Sequence, residues 1–149
     1  MRNRLLILVL YFGMATHSWA CSCLPFDVEK NFKEASVVFE GFISKSEMVF
    51  DKSHLLGANK RPLVIGEFII TKSWKGEPEK LDGVVTHSEG PACGLELAPA
   101  RSYIFFIYDV VTDSSFIGDK EYGIVSTCGT PHGPNYQYYE STKKWLKSK

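Results

Sequence analysis

Four cysteines constrain this chain more than any other feature, because all of them follow an apolar leader and two are separated by one residue. Cys21 and Cys23 stand at the end of the leader, with Cys93 and Cys128 far downstream. Ahead of them Arg2 and Arg4 form a positive start, and Leu5 to Ala15 is almost unbroken apolar sequence. Ser18 and Ala20 are then the small residues just before a cleavage point. That order is the layout of a secretory signal, and the apolar run is too short to span a bilayer comfortably. Residues 1–20 are therefore read as a signal peptide and residues 21–149 as one domain.

Export places thiols where disulfides persist, so four cysteines read as two bridges. Cys21 and Cys23 are poor partners for one another. One intervening residue in an extended chain points both side chains the same way and strains the bridge. Each is expected to reach a distant cysteine, which leaves two pairings open. Each bridge closes a loop of roughly 70 to 105 residues, worth on the order of 4 kcal/mol alone in the chain-entropy model. The loops overlap, so those values do not add. The competing reading, a four-thiolate zinc site, lacks two C-x-x-C pairs and sits in an oxidising compartment.

Apolar residues make up 44% of the chain and charged residues 23%, as in a globular protein. Without Arg2 and Arg4, the 17 basic residues fall to 15 against 17 acidic ones. A nucleic-acid binder carries a basic excess, so nucleic acid is not an expected partner. No second apolar stretch is long enough to span a membrane.

The patterning is mainly β. Asp27 to Ala35 reads as a short helix, with Asp27 as N-cap and Val28, Phe32 and Ala35 on one face. Val37 to Ser44 alternates like a strand, with Val38, Glu40 and Phe42 on one face, Val37, Phe39 and Ile43 near the other, and a bend at Gly41. Ser46 to Pro62 is polar and is expected to be a long hairpin loop. Leu63 to Trp74 is the longest strand, closed by Lys75-Gly76-Glu77-Pro78, and Leu81 to His87 is another. Ser102 to Val111, aromatic and β-branched, is expected to be one central strand. After a turn at Asp113 to Ser115 the last strand material is Phe116 to Ile117 and Tyr122 to Thr127. In the tail, Tyr138, Thr142, Trp145 and Leu146 fall at helical spacing with lysines opposite, the pattern of a helix packed on an expected β-barrel. A basic amphipathic contact with a membrane or partner is the alternative use of that tail.

Enzyme signatures are missing. There is no H-E-x-x-H, G-x-S-x-G or P-loop pattern, and His54, His87 and His132 are widely spaced. No catalytic residue and no cofactor is assigned. The chemistry that stands out is at the new terminus. Cleavage after Ala20 frees the Cys21 α-amine, whose reference pKa is roughly 7.7–8.0. Its lone pair and the carbonyl oxygen of the same residue form a five-membered chelate for a cation such as zinc. If Cys21 and Cys23 are both bridged, the ordering of that terminus is met in folding, and it becomes a rigid wedge for a protease zinc with an open position. The plainer alternative is that the bridges only fasten the terminus to the expected barrel.

Cys21-Ser22-Cys23-Leu24-Pro25 directly after a signal peptide resembles the mature start of the tissue inhibitors of metalloproteinases. Ala35-Ser36-Val37-Val38 to Gly41 is similar to that family's first strand, and Phe68-Ile69-Ile70 to Trp74-Lys75-Gly76 to its second. Ala92-Cys93-Gly94-Leu95, Ser102-Tyr103-Ile104 and Cys128-Gly129 extend the similarity to most of the mature chain. The resemblance implies a netrin-like module: an OB-fold, a five-stranded Greek-key barrel, with a short N-terminal helix and a C-terminal helix. It implies the disulfides Cys21–Cys93 and Cys23–Cys128. It also implies that Cys21 chelates a target protease zinc in trans, that Ser22 enters the specificity pocket, and that Cys23, Leu24, Pro25, Pro91 and Ala92 complete the inhibitory wedge. The chain departs from the family pattern in having no cysteine between Phe32 and Ser36 and no cysteine-rich segment after Cys128.

The expected function is thus a secreted, non-enzymatic, monomeric inhibitor of zinc metalloproteinases. A non-inhibitory netrin-like binding or accessory module of the cell envelope or extracellular space is the alternative, since fold does not imply function. Localisation is expected to be extracellular or periplasmic. Lipidation of Cys21, as in bacterial lipoproteins, is the minority alternative. It would consume both thiol and amine and leave three thiols, and Ser18 and Trp19 suit that signal poorly.

Overall fold

The computed structural model describes residues 23, 25–50, 62–88, 93–113, 118–133 and 137–149. The element order is α1 (Val28–Glu34), β1 (Val37–Phe50), β2 (Pro62–Lys75), a 3-10 turn (Pro78–Lys80), β3 (Gly83–His87), β4 (Ser102–Ile107), β5 (Val110–Asp113), β6 (Gly118–Ile124) and α2 (Gln137–Leu146). The fold is mainly β, a six-stranded mixed sheet in the order β4-β1-β2-β3-β6-β5, with two short helices. All neighbours are antiparallel except β3 and β6, which run parallel.

Helix α1 starts where the Asp27 carboxylate accepts the Lys30 amide at 3.1 Å. It ends under Lys75, whose Nζ reaches across from β2 to the carbonyls of Phe32 at 2.8 Å and Lys33 at 3.0 Å. A cation at the C-terminal carbonyls satisfies acceptors that the helix itself leaves open.

The alternation read in β1 holds. Val37, Phe39 and Ile43 join one core with Val84 of β3, Leu95 and Leu97, and Tyr103, Phe105 and Ile107 of β4. Val38 faces the other way, into a cluster with Ile104, Phe106, Ala35, Tyr139 and Leu146, which α1 and α2 cover. Phe39 and Phe105 are cross-strand partners with ring centroids 4.9 Å apart, and Phe68 and Tyr103 stand 4.7 and 5.3 Å further along on either side. Aromatic pairs of this kind add about 0.5–1.5 kcal/mol each beyond their area. The ladder shifts register between Glu40 and Gly41, where a Cβ would stand 2.7 Å from the Ile69 carbonyl oxygen. Only glycine allows the strands to approach so closely there.

Several sequence expectations are corrected. Ser46 to Pro62 is not all loop: the ladder continues to Phe50 opposite Pro62, because Met48, Val49 and Phe50 pair with Val64, Leu63 and Pro62. Ser102 to Val111 is not one central strand. It divides into β4 and β5, which lie at opposite ends of the strand order, because the chain leaves β1 at Ile107 and pairs with β6 from Val110. Six strands are therefore described where five were expected. The last strand ends at Ile124, and the expected Phe116 and Ile117 segment lies outside the described residues. In α2, Tyr139 goes deeper than Tyr138, and Lys143 does not lie on the solvent side. It reaches the nearly buried Glu40.

Candidate functional site

The connector from β3 to β4, described from Cys93 to Arg101, and the turn at Cys128 are hydrogen-bonded to each other. The Cys23–Cys128 disulfide ties the N-terminal segment there, with Cα atoms 5.2 Å apart and a sequence separation of 105. This is the pairing that the resemblance implies. Cys93 is also disulfide-bonded. Its implied partner, Cys21, lies outside the described residues, as do Ser22, Leu24, Pro91 and Ala92. Of the remaining wedge residues, Cys23 and Pro25 are exposed.

What the described residues do show is how firmly the connector is held. The Thr127 amide donates to the Cys93 carbonyl at 3.0 Å, and the Thr127 hydroxyl donates to the Gly94 carbonyl. Next, the Leu95 amide donates to the buried Thr86 hydroxyl at 2.9 Å, so β3 anchors the connector from beneath. Leu95 and Leu97 then insert into the main core. Finally the Tyr103 hydroxyl donates to the Glu96 carbonyl and accepts from the Ala98 amide. Burial pushes that hydroxyl's pKa up, which keeps it a neutral donor.

Cys93 itself has φ 56°, a left-handed conformation that is uncommon for a residue with a Cβ. Such a conformation costs on the order of 1–3 kcal/mol and persists when its surroundings over-determine it. Here the disulfide, the Thr127 pair and the Leu95 anchor all act within three residues.

The turn is equally fixed. Val125 donates to the Val85 carbonyl at 2.9 Å, and Gly129 to Ser126 at 3.2 Å. Beyond it, Ile104 donates to Pro131 and Gly133 donates to Ser102, each at 2.8 Å, so this segment covers the outer edge of β4. His132 stacks on Tyr103 with centroids 5.8 Å apart. His87 ends β3, and His54 lies outside the described residues.

A cavity of about 420 Å³ opens beside the connector, between Ser46 and Met48 of β1, Val64 of β2, and Leu95 and Leu97. Sequence reading missed it, because it assigned Ser46 onward to a loop. It also missed Thr86, Tyr103 and Thr127 as anchors. An isolated hydroxyl in a strand carries no local signal of the backbone it will meet.

Among the described residues no group of three or more His, Cys, Asp or Glu side chains converges to hold a metal ion. No helix among them is long and apolar enough to cross a membrane. Compared with protein-family models and with curated proteins, the chain matches none.

Proposed function

We propose that this chain is a secreted inhibitor of zinc metalloproteinases that presents its mature N-terminus to the protease zinc. In this reading the free amine and carbonyl of Cys21 form the chelate, and the Ser22 side chain enters the specificity pocket. Leu24, Pro25, Pro91 and Ala92 flank them. The observation that carries the reading is the Cys23–Cys128 disulfide, which fastens the chain two residues after the proposed chelating group. The turn it reaches is hydrogen-bonded to the connector at Cys93. A terminus ordered before binding loses less entropy when it meets its target.

The finer fold reading is an OB-fold barrel of the netrin-like kind. Its support is topological. The end strands of the sheet order, β4 and β5, are consecutive in the chain, separated only by Tyr108 and Asp109. Counted as one bent strand serving both edges, they give five strands and a closed sheet. Close approach of β4 and β6 agrees with closure: a Cβ on Gly123 would stand 2.8 Å from the Ile107 side chain.

The test is inhibition of a panel of zinc metalloproteinases by the disulfide-bonded protein with Cys21 as first residue, beside a version extended by one alanine. Inhibition by the first and its loss in the second, with unchanged circular dichroism, is the expected result. Equal inhibition by both would remove the chelate. No inhibition by either would favour a binding module whose bridges serve stability alone.

A further inference from the structure

We propose that the face formed by α1, the end of α2 and the end of β2 docks on an anionic phospholipid surface. The lysines and aromatic residues of the tail raise such a contact from sequence, and the fold joins them to matching residues of two other elements.

Aromatic rings and ammonium groups alternate across this face. The Lys149 Nζ stands over the Trp145 ring at 4.8 Å, and Trp145 meets Phe32 of α1 edge to face, with ring centroids 5.5 Å apart. Lys75 of β2 lies 5.5 Å from the Phe32 ring centroid, and Lys72 lies 5.5 Å from that of Trp74. Phe32, Trp74 and Trp145 all pack on the cluster that holds Val38 and Leu146, and each is only partly buried. The core therefore fixes the rings while part of each remains at the surface. Of the chain's three tryptophans, Trp19 belongs to the leader, so both of the others lie on this face. Tryptophan and lysine together suit a membrane–water interface. The indole sits at headgroup level, and lysine lays its methylenes on apolar surface while its charge reaches phosphate.

Charge selects the occupant. Of the 15 basic and 17 acidic residues after Arg4, residues 28–34, 72–75 and 137–149 hold eight basic ones and only three acidic ones, Glu29, Glu34 and Glu140. The remainder, with seven basic and 14 acidic residues, is strongly negative. Some of the lysines are committed within the fold. Lys33 pairs with Glu29 at 2.9 Å, Lys143 pairs with Glu40, and Lys75 is bonded to the last carbonyls of α1. Lys72 and Lys149 are exposed and form no ion pair among the described residues. A flexible polyanion would reach past this face and meet the negative remainder, whereas a planar anionic surface meets this face alone. The contact is peripheral, made by ammonium groups on lipid phosphates and by ring edges among the headgroups.

The experiment is co-sedimentation of the disulfide-bonded protein with vesicles of mixed phosphatidylglycerol and phosphatidylcholine, beside vesicles of phosphatidylcholine alone. The protein is expected to bind the anionic vesicles only, and less as salt is raised. Tryptophan emission should move to shorter wavelength on binding, with Trp74 and Trp145 as the reporters. Lys72→Gln and Lys149→Gln should each weaken partitioning about fivefold, the usual worth of one lysine at an anionic surface. Lys72→Arg and Lys149→Arg keep the charge and should bind like the wild type. Lys120→Gln makes the same charge change at an exposed position of β6 and should leave binding within about twofold. Binding to neither vesicle, equal binding to both, glutamine variants that bind undiminished, arginine variants that fail, or an equal loss with Lys120→Gln would each overturn the proposal. Retention on immobilised dextran sulfate without binding to vesicles would also overturn it and assign the face to a soluble polyanion. None of these outcomes bears on inhibition by the N-terminus.

Discussion

The Tyr103 hydroxyl donates to the Glu96 carbonyl at 2.6 Å, so a side chain in the core holds the connector that begins at Cys93. The same oxygen accepts from the Ala98 amide at 2.8 Å and closes the loop on itself. Tyr103 is fully buried, and its ring stacks on Phe105. One residue thus joins the aromatic core to the connector.

Tyr103→Phe keeps the ring and leaves two backbone groups without their partner. We expect a loss of about 1–3 kcal/mol, the cost of unsatisfied buried polar groups. Urea unfolding should show a lower midpoint at unchanged m-value, and hydrogen exchange at the Ala98 amide should accelerate.

Stability should fall in alkali. Burial pushes the pKa of Tyr103 up and that of Tyr108 up to about 12. Tyr139 is raised too, by burial first and then by its hydrogen bond to Glu40. Unfolded tyrosine titrates near 10, so the native state holds these protons longer than the unfolded state does. Their contribution is complete below pH ~10 and is lost as pH rises through the folded values. Denaturant midpoints measured against pH should be flat in this respect below pH ~10 and decline above it. Tyr108→Phe should make that decline shallower.

The clasp of α2 rests on Glu40, which is 8% exposed and accepts from the Tyr139 hydroxyl at 2.6 Å and from the Lys143 ammonium. Lys143→Met removes the cation and leaves a largely buried carboxylate, so we expect a loss of about 2–3 kcal/mol. Glu40→Gln keeps an acceptor for Tyr139 and should cost less, about 1 kcal/mol. A double-mutant cycle on thermal or urea unfolding measures the coupling between the two.

Replacing Cys23 and Cys128 together by serine should cost about 2–5 kcal/mol, the usual range for a native disulfide in a small domain. The proposed inhibitory activity should fall further than this loss of stability explains. Inhibition measured well below the unfolding midpoint separates the two effects.

Much of the local structure was legible because local physics decides it. Asp27 capping α1, the alternation of Val37 to Ile43, and the irregularity at Gly41 follow from signals within a few residues. The exclusion of a local Cys21–Cys23 bridge was an equally local argument, and Cys23 is bonded to Cys128. The reach of β1 was not legible, because Ser46, Glu47 and Met48 form strand only when β2 lies beside them. The same holds for Glu40, a charge in an apolar run whose partners Tyr139 and Lys143 are about a hundred residues away.

By itself the sequence determined the mainly β class, the helix start at Asp27, and the need for a long-range bridge from Cys23. Periodicity, capping and disulfide geometry operate over a few residues and can be read in order. Only the tertiary structure decided that the chain breaks at Tyr108 and Asp109 to serve opposite ends of the sheet order, that β4 stops short of the end of β1, and that Thr86, Tyr103 and Thr127 hold the connector. Those outcomes depend on which strand edge is still unpaired when a segment arrives, and on which distant carbonyl or amide a buried hydroxyl meets. No short stretch of sequence contains either fact.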